Sequence, residues 1–312
     1  VKIIFMGTPE FARVSLNTLL REKFNIVAAV TAPDRRAGRG LKLRESPVKS
    51  AAVRAGIPVL QPEKLSDPGF ISDLKSIKPD VIAVVAFRIL PEDVFIIPSK
   101  GTVNVHGSLL PRYRGAAPIN WAIINGETET GVTTFFIKKE VDTGNILDQL
   151  KIPIMPDQTA GELHDIMAVK GAELLVVTLR KIERGNVVVT SQNESFVSRA
   201  PKIRREDCLI RFAQPAKKVH DFIRGLSPFP AAHTFLDGRM LRLYNSGISD
   251  LMTDVKSGTI VGTDPEDRWQ IACGEGECIT IAQVQLEGKR RMTTAEFSRG
   301  YSVRPGKILG AA

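Results

Sequence analysis

The feature that most constrains this chain is an alternation, through its first part, of short apolar β-rich runs with amphipathic helical stretches. Apolar runs at Ile3–Met6, Ile26–Val30, Val81–Val85, Val103–Val105 and Thr133–Ile137 read as buried strands of a mostly parallel sheet. Between them, helical patterns fall around Glu10–Arg21, Pro47–Ala55, Gly69–Ile77 and Ala117–Ile124, and a longer amphipathic helix spans Thr159–Arg184. Parallel neighbours need crossover connections, so this order predicts an α/β, Rossmann-like, doubly wound sheet. One connection is long: residues 32–47 follow the second strand, at the edge where open α/β sheets bind ligands.

The texture changes after about Asn186, where Ser191-Gln192-Asn193-Glu194-Ser195 and Arg199-Ala200-Pro201-Lys202 are polar and helix-poor. The expected organisation is a first domain over residues 1–188, a linker over 189–205 and a second domain over 206–312. In that last part a helix at Ala216–Gly225 precedes short strands at Met240–Tyr244, Gly258–Gly262, Trp269–Ala272 and Cys278–Gln285, a pattern that suits a small, OB-like β-barrel.

Composition narrows the function class. With 43% hydrophobic and 25% charged residues among 312, the chain is long and apolar enough for two cores. It has no apolar run of the ~18–20 residues a membrane span requires. The opening Val1-Lys2-Ile3-Ile4-Phe5 reads as a strand and not as a signal peptide, so a cytoplasmic location is expected. Cys208, Cys273 and Cys278 are odd in number and lack metal-ligand spacing, which argues for reduced thiols and no metal site. The formal charge of +9 favours an anionic partner. Six cations, Arg35, Arg36, Arg39, Lys42, Arg44 and Lys49, crowd a stretch whose acidic residues are Asp34 and Glu45 alone, and Ala37-Gly38-Arg39-Gly40 makes it a plausible polyanion-contacting loop.

The candidate chemistry lies in TVNVHGSLLPRYRGAAPINWAI, residues 102–123. Strand side chains repeat with period two, so Asn104 and His106 share one face while Val103 and Val105 pack on the other. An unpaired buried polar group costs about 1–3 kcal/mol. The pair is therefore either a set of satisfied strand-end polars or a working site; the glycine turn that follows and the later Asp142-Thr143-Gly144 favour the site. An asparagine amide can donate to an oxygen that gains negative charge, a histidine can accept a proton, and a carboxylate such as Asp142 can orient the imidazole and stabilise its cation. No protein nucleophile is evident, since Ser108 lies on the turn and no cysteine is near, so the substrate is expected to bring its own, for example an amine attacking an acyl carbon. Gly7-Thr8-Pro9 ends the first strand without the G-x-G-x-x-G spacing of a dinucleotide site, which disfavours a nicotinamide enzyme.

The stretch NVHGSLLPRYRGAAP resembles the signature of the folate-dependent formyltransferases. PDRRAGRGLKL and SPVKSAA, within residues 33–52, resemble the loop with which the members acting on methionyl-tRNA meet the acceptor end of the initiator. GIPVLQPEKL, TGVTTFFI, VDTGNIL, APKI and IRGLSPFPAA carry the similarity across nearly the whole chain. The resemblance implies transfer of the formyl group of 10-formyltetrahydrofolate, a cosubstrate, to the α-amino group of methionyl-initiator tRNA by direct attack of the amine, without a metal. It implies catalytic roles for Asn104, His106 and Asp142, folate contact by the turn Ser108-Leu109-Leu110-Pro111, and tRNA contact by Arg35, Arg36, Arg39 and Lys42. Its partners would be initiator tRNA and a folate, with no membrane and a monomeric chain. The sequence departs from the commonest pattern at Ala86-Phe87-Arg88-Ile89-Leu90-Pro91, one residue shorter than usual, and at Asn145, Arg36 and Ala231, which stand where Asp, Pro and Gly are frequent. Two rivals remain open here: a relative formylating a nucleotide-linked amine, such as glycinamide ribonucleotide or an amino sugar, and a non-catalytic RNA-binding relative.

Overall fold

The computed structural model describes residues 1–37, 42–301 and 303–310, and divides into two compact units. The first comprises residues 1–115, 130–152 and 164–200, and the second residues 116–129, 153–163 and 201–312.

In the first unit, seven strands join into one sheet: β1 Lys2–Gly7, β2 Asn25–Val30, β5 Val59–Leu60, β6 Val81–Val85, β7 Thr102–His106, β9 Glu129–Phe136 and β10 Ile146–Pro153, ordered β10-β9-β7-β6-β1-β2-β5. The order reverses between β1 and β6, because the chain winds outward from β1 to β2 and β5 and then returns to add β6 and β7 on the other side. All pairings from β7 to β5 are parallel. The run at Thr133–Ile137, expected among the parallel strands, instead pairs antiparallel with β7, Asn104 opposite Phe135 and His106 opposite Thr133. Periodicity reports burial and is blind to strand direction, which is why the sequence did not show this reversal.

The helices follow from local chemistry. α1 Glu10–Arg21 starts behind Pro9, and Ser46 and Asp67 cap α2 Pro47–Arg54 and α3 Pro68–Ile77 by accepting from the Lys49 and Phe70 N–H groups. On one sheet face Ile4, Met6, Val30, Ile82 and Val84 pack with Phe70, Leu74 and Val94, the last from the short α4 Glu92–Phe95. The residues expected to form an open basic loop include a small antiparallel hairpin, β3 Arg35–Ala37 and β4 Lys42–Arg44, with Arg35 opposite Arg44. Three-residue strands with two charged residues each carry little propensity signal, which is why the sequence reads as a loop here. The two-stranded pair β8 Arg114–Gly115 with β11 Arg199–Ala200 completes the unit's strands.

The second unit carries an antiparallel sheet of β12 His233–Leu236, β13 Arg239–Ser249, β14 Ile260–Thr263, β15 Trp269–Ala272 and β16 Cys278–Leu286, in the order β12-β13-β16-β15-β14, with β17 Met292–Thr293 on β16. Among the described residues no pairing joins β12 to β14, so the strand path itself is a sheet with two ends. Its core gathers Trp269, Ile271, Ile279, Ile281 and Leu243 with Val219 and Ile223 of α7 Ala216–Gly225 and Phe297 of α8 Thr294–Gly300. The short α5 Pro118–Ile124 also belongs here, tied to α7 by Asn120 Nδ2 donating to Gly225 O at 2.7 Å. α6 Ala160–Arg184 is the long helix expected from the sequence. All three cysteines are free and buried, and burial pushes the Cys273 thiol up to about 12. Ala231, where glycine is frequent, sits buried at φ +75°, backbone that favours glycine.

A pH dependence follows from α7. His220 is buried, with Nδ1 2.9 Å from Ser246 Oγ and Nε2 3.3 Å from Pro156 O and 3.4 Å from Asp157 Oδ1. Burial holds its pKa below the usual 6.5 despite Asp157 and Asp221 nearby, and burial also lowers that of His233. The unfolded chain therefore binds protons that the folded chain resists. Stability is complete above the unfolded value of about 6.5 and declines as pH falls below it, towards the folded values. The melting temperature should drop between pH 7 and pH 5, and His220→Gln should flatten the drop; an unchanged slope in that variant would assign the acid sensitivity elsewhere.

Candidate active site

β7 delivers Asn104 and His106 towards the C-terminal edge of the sheet, where open α/β folds bind ligands, one strand removed from the β1/β6 point at which strand order reverses. Val103 and Val105 are buried on the opposite face, as period two requires. Asn104 is half-buried, and its side-chain amide has no hydrogen-bond partner among the described residues. That leaves a donor free to address an incoming oxygen.

His106 is held at one nitrogen and faces a carboxylate with the other. Nε2 lies 2.9 Å from Tyr113 O, and since a carbonyl only accepts, Nε2 carries the proton. In the neutral ring the lone pair is then on Nδ1, which faces Asp142 Oδ2 at 3.7 Å. A proton taken up at Nδ1 would create a cation beside that carboxylate. Asp142 Oδ2 also accepts from the Gly115 N–H at 2.9 Å. The backbone of Asp142 lies at φ +58°, a left-handed conformation uncommon outside glycine. Gly144, two residues on, has no room for a side chain: a Cβ there would sit 1.5 Å from Phe136 O and 2.9 Å from Phe135 Cδ2.

The turn Ser108-Leu109-Leu110-Pro111 is locked from within. The Ser108 hydroxyl, fully buried, donates to Arg112 O at 2.5 Å, so it is not available as a nucleophile. Thr133 Oγ1 donates to Ser108 O at 2.6 Å and accepts from the Leu110 N–H at 3.1 Å, while Gln149 Nε2 donates to Leu110 O at 2.9 Å. Leu110 is buried and Leu109 half-buried. In the variant segment, Arg88 donates to Glu63 O and Pro62 O, both at 2.9 Å, a brace that stands beside Ala86 at φ +46°. Asn145 accepts from Lys138 Nζ at 2.9 Å.

The basic hairpin is fastened at its base. Gln61 Nε2 donates to Ala32 O at 2.9 Å and Asp34 Oδ1 at 2.8 Å, Lys49 pairs with Asp34 and, at 3.3 Å, with Glu45, and Thr31 Oγ1 lies 2.7 Å from Ser46 Oγ. Lys49 and Gln61 hold the Asp34 carboxyl below the usual carboxylate range. Lys49 is thus engaged within the fold, while Arg35 and Arg44 are exposed. Arg36 and Lys42 fall on the two hairpin strands, and Arg39 lies outside the described residues.

Thr133, Gln149, Arg114 and Gln192 were not singled out from the sequence. Gln192, in the polar stretch read as linker, donates to Asp142 O and Gly144 O at 2.8 Å each, and no local pattern in Ser191–Ser195 marks it.

A family model described as "Formyl transferase" matches residues 1–179, and one described as "Formyl transferase, C-terminal domain" matches residues 202–302. The methionyl-tRNA formyltransferase of Trichlorobacter lovleyi is 47% identical over 309 residues, covering 99% of this chain and 96% of that protein. That of Geotalea uraniireducens is 44% identical over 311 residues, covering 99% and 98%. Among solved structures, an N-formyltransferase from Helicobacter canadensis in complex with folinic acid and dTDP-3-aminofucose superposes with a TM-score of 0.66 at 21% identity, covering 90% of this chain and 98% of that one. Glycinamide ribonucleotide transformylase 1 from Symbiobacterium toebii gives 0.52 at 17% identity, covering 62% and 94%. At those identities the structures share the fold.

Proposed function

Because this chain belongs to the formyl transferase family, we propose that it transfers the formyl group of 10-formyltetrahydrofolate to the α-amino group of initiator methionyl-tRNA, as a monomer in the cytoplasm. The observation that carries the chemistry is the unpartnered Asn104 amide beside a histidine whose Nε2–H is committed to Tyr113 O. Asn104 donates to the formyl oxygen as the unprotonated amine attacks the formyl carbon and the oxygen gains charge. The new N–C bond forms as the C=O pair moves onto oxygen, and the carbon's bond to the folate nitrogen breaks when that pair re-forms the carbonyl and the nitrogen takes up a proton. The amine's proton passes to His106 Nδ1, where Asp142 stabilises the cation, and from there to the departing nitrogen. The buried, internally bonded Ser108 hydroxyl favours direct transfer over a formyl-enzyme. Full-length identity of 44–47% to proteins named for methionyl-tRNA supports the tRNA acceptor over nucleotide-linked amines. Catalysis is assigned to residues 1–188, with Ser108-Leu109-Leu110-Pro111 contacting the folate; tRNA binding is assigned to Arg35, Arg36, Arg39 and Lys42 and to residues 206–312, with 189–205 joining the parts.

The test supplies labelled 10-formyltetrahydrofolate with methionyl-initiator tRNA, an elongator methionyl-tRNA, glycinamide ribonucleotide and a nucleotide-linked amino sugar. Formyl should enter the initiator substrate; incorporation into a nucleotide-linked amine alone, or into none of the four, overturns the reading. For the hairpin, Arg39→Ala with Lys42→Ala should weaken tRNA binding and flatten the slope of log K against log salt. On single-stranded RNA each lost phosphate contact reduces that slope by about 0.7, so the pair should remove roughly 1–1.5. Folate affinity should stay the same. An unaltered slope would move the clamp to Lys289, Arg290 and Arg291 in the second unit.

A further inference from the structure

We infer that Gln192 is a positioning residue for Asp142, and that the segment from Gln192 to Ser198 is a strap that fixes both partners of His106. The inference rests on the role proposed above for Asp142.

Asp142 needs external support. Its left-handed backbone is unfavourable for a non-glycine residue, and its Oδ2 must meet the Gly115 N–H and His106 Nδ1 at once. The Gln192 amide supplies that support and is fully used in doing so. Its two N–H groups donate to Asp142 O and Gly144 O at 2.8 Å each. Its oxygen accepts from Arg114 Nε at 3.0 Å and Nη2 at 2.7 Å. With both donors and both lone pairs engaged, flipping or rotating the amide loses bonds, so its orientation is determined. Arg114 is itself held by Glu194, whose oxygens accept from Nη1 at 3.1 Å and Nη2 at 2.7 Å. The residue after Arg114 is Gly115, whose N–H reaches Asp142. The hydrogen bonds therefore close a ring from Gln192 through Arg114 and Gly115 to Asp142 and back to Gln192.

The same segment holds the other side of the imidazole. Ser198 Oγ accepts from the Tyr113 N–H at 2.8 Å, and Ser198 O accepts from the Arg114 N–H at 2.9 Å. Tyr113 O is the acceptor for His106 Nε2–H. One short stretch thus sets the carboxylate facing Nδ1 and the carbonyl facing Nε2. A displacement of either by a fraction of an ångström would degrade proton transfer while leaving the surfaces for folate and tRNA intact.

Gln192→Glu separates this role from a plain structural tie, because the carboxylate keeps the acceptor for Arg114 and cannot donate to the two carbonyls. In the full chain its kcat for formyl transfer should fall by about 10–100-fold, with KM for folate and tRNA changed less than about threefold. In an Asp142→Asn background the same substitution should cost less than about threefold more, since residues acting through one group are not additive. Gln192→Asn, which keeps the amide on a shorter stem, serves if the Glu variant does not fold, and the same kcat pattern is expected of it. Equal losses in both backgrounds, a rise in KM at unchanged kcat, or full activity in the Gln192 variants would overturn the positioning role alone. Full activity in Asp142→Asn would remove the proposed catalytic role of Asp142, and this inference with it.

Discussion

Replacing Asn104 by alanine should lower the rate of formyl transfer by roughly 10²–10³-fold, the loss expected when one donor to a developing oxyanion is removed. The fold should be unaffected, because the Asn104 amide makes no hydrogen bond to a described residue that the substitution would break. Folate binding, measured directly on the variant, should be retained within a few-fold, since the amide acts most strongly on charge that develops during the reaction. Single-turnover formyl transfer to methionyl-tRNA is the deciding measurement. Turnover within threefold of the parent would mean that the formyl oxygen is stabilised elsewhere. A formyl group trapped on the protein would mean that the amine does not attack directly.

The second large effect concerns Gly144. A Cβ at this position would overlap the backbone oxygen of Phe136, which is no flexible side-chain tip and cannot swing aside. Gly144→Ala must therefore displace the turn that carries Asp142. That displacement strains the bond from the Phe136 N–H to Asn145 O, 3.0 Å, and the bond that Gly144 O accepts from Gln192. Overpacking of this kind costs about 1–3 kcal/mol. The shift of Asp142 relative to His106 should lower kcat by ~100-fold beyond any loss of folded protein. Urea denaturation and kcat measured on the folded fraction separate the two contributions. An alanine variant with parental stability and rate would show that the turn relaxes without moving the carboxylate.

Much of this protein was legible in its sequence, for identifiable reasons. Ile3–Met6, Ile26–Val30 and Val81–Val85 announced themselves as buried strands because two covered faces demand unbroken apolar runs. That Asn104 and His106 share one face was legible because period two places them there by geometry alone. The second unit's strands were legible from their spacing, and its short edge strand β12 was not, because four residues beside a turn carry too weak a pattern.

The tertiary structure alone decided three matters. It reversed β9 against β7, because strand direction depends on how the chain returns to the sheet and leaves no mark on side-chain periodicity. It drew a hairpin from the basic segment, since backbone pairing between Arg35 and Arg44 and the clasp of Asp34, Lys49 and Gln61 at its base outweigh the poor strand propensity of the residues involved. And it joined Gln192 to Asp142, residues 50 apart in the chain. A sequence records which groups can donate and accept; which donor meets which acceptor is settled only when distant segments pack, and in this chain that packing aims the carboxylate at His106.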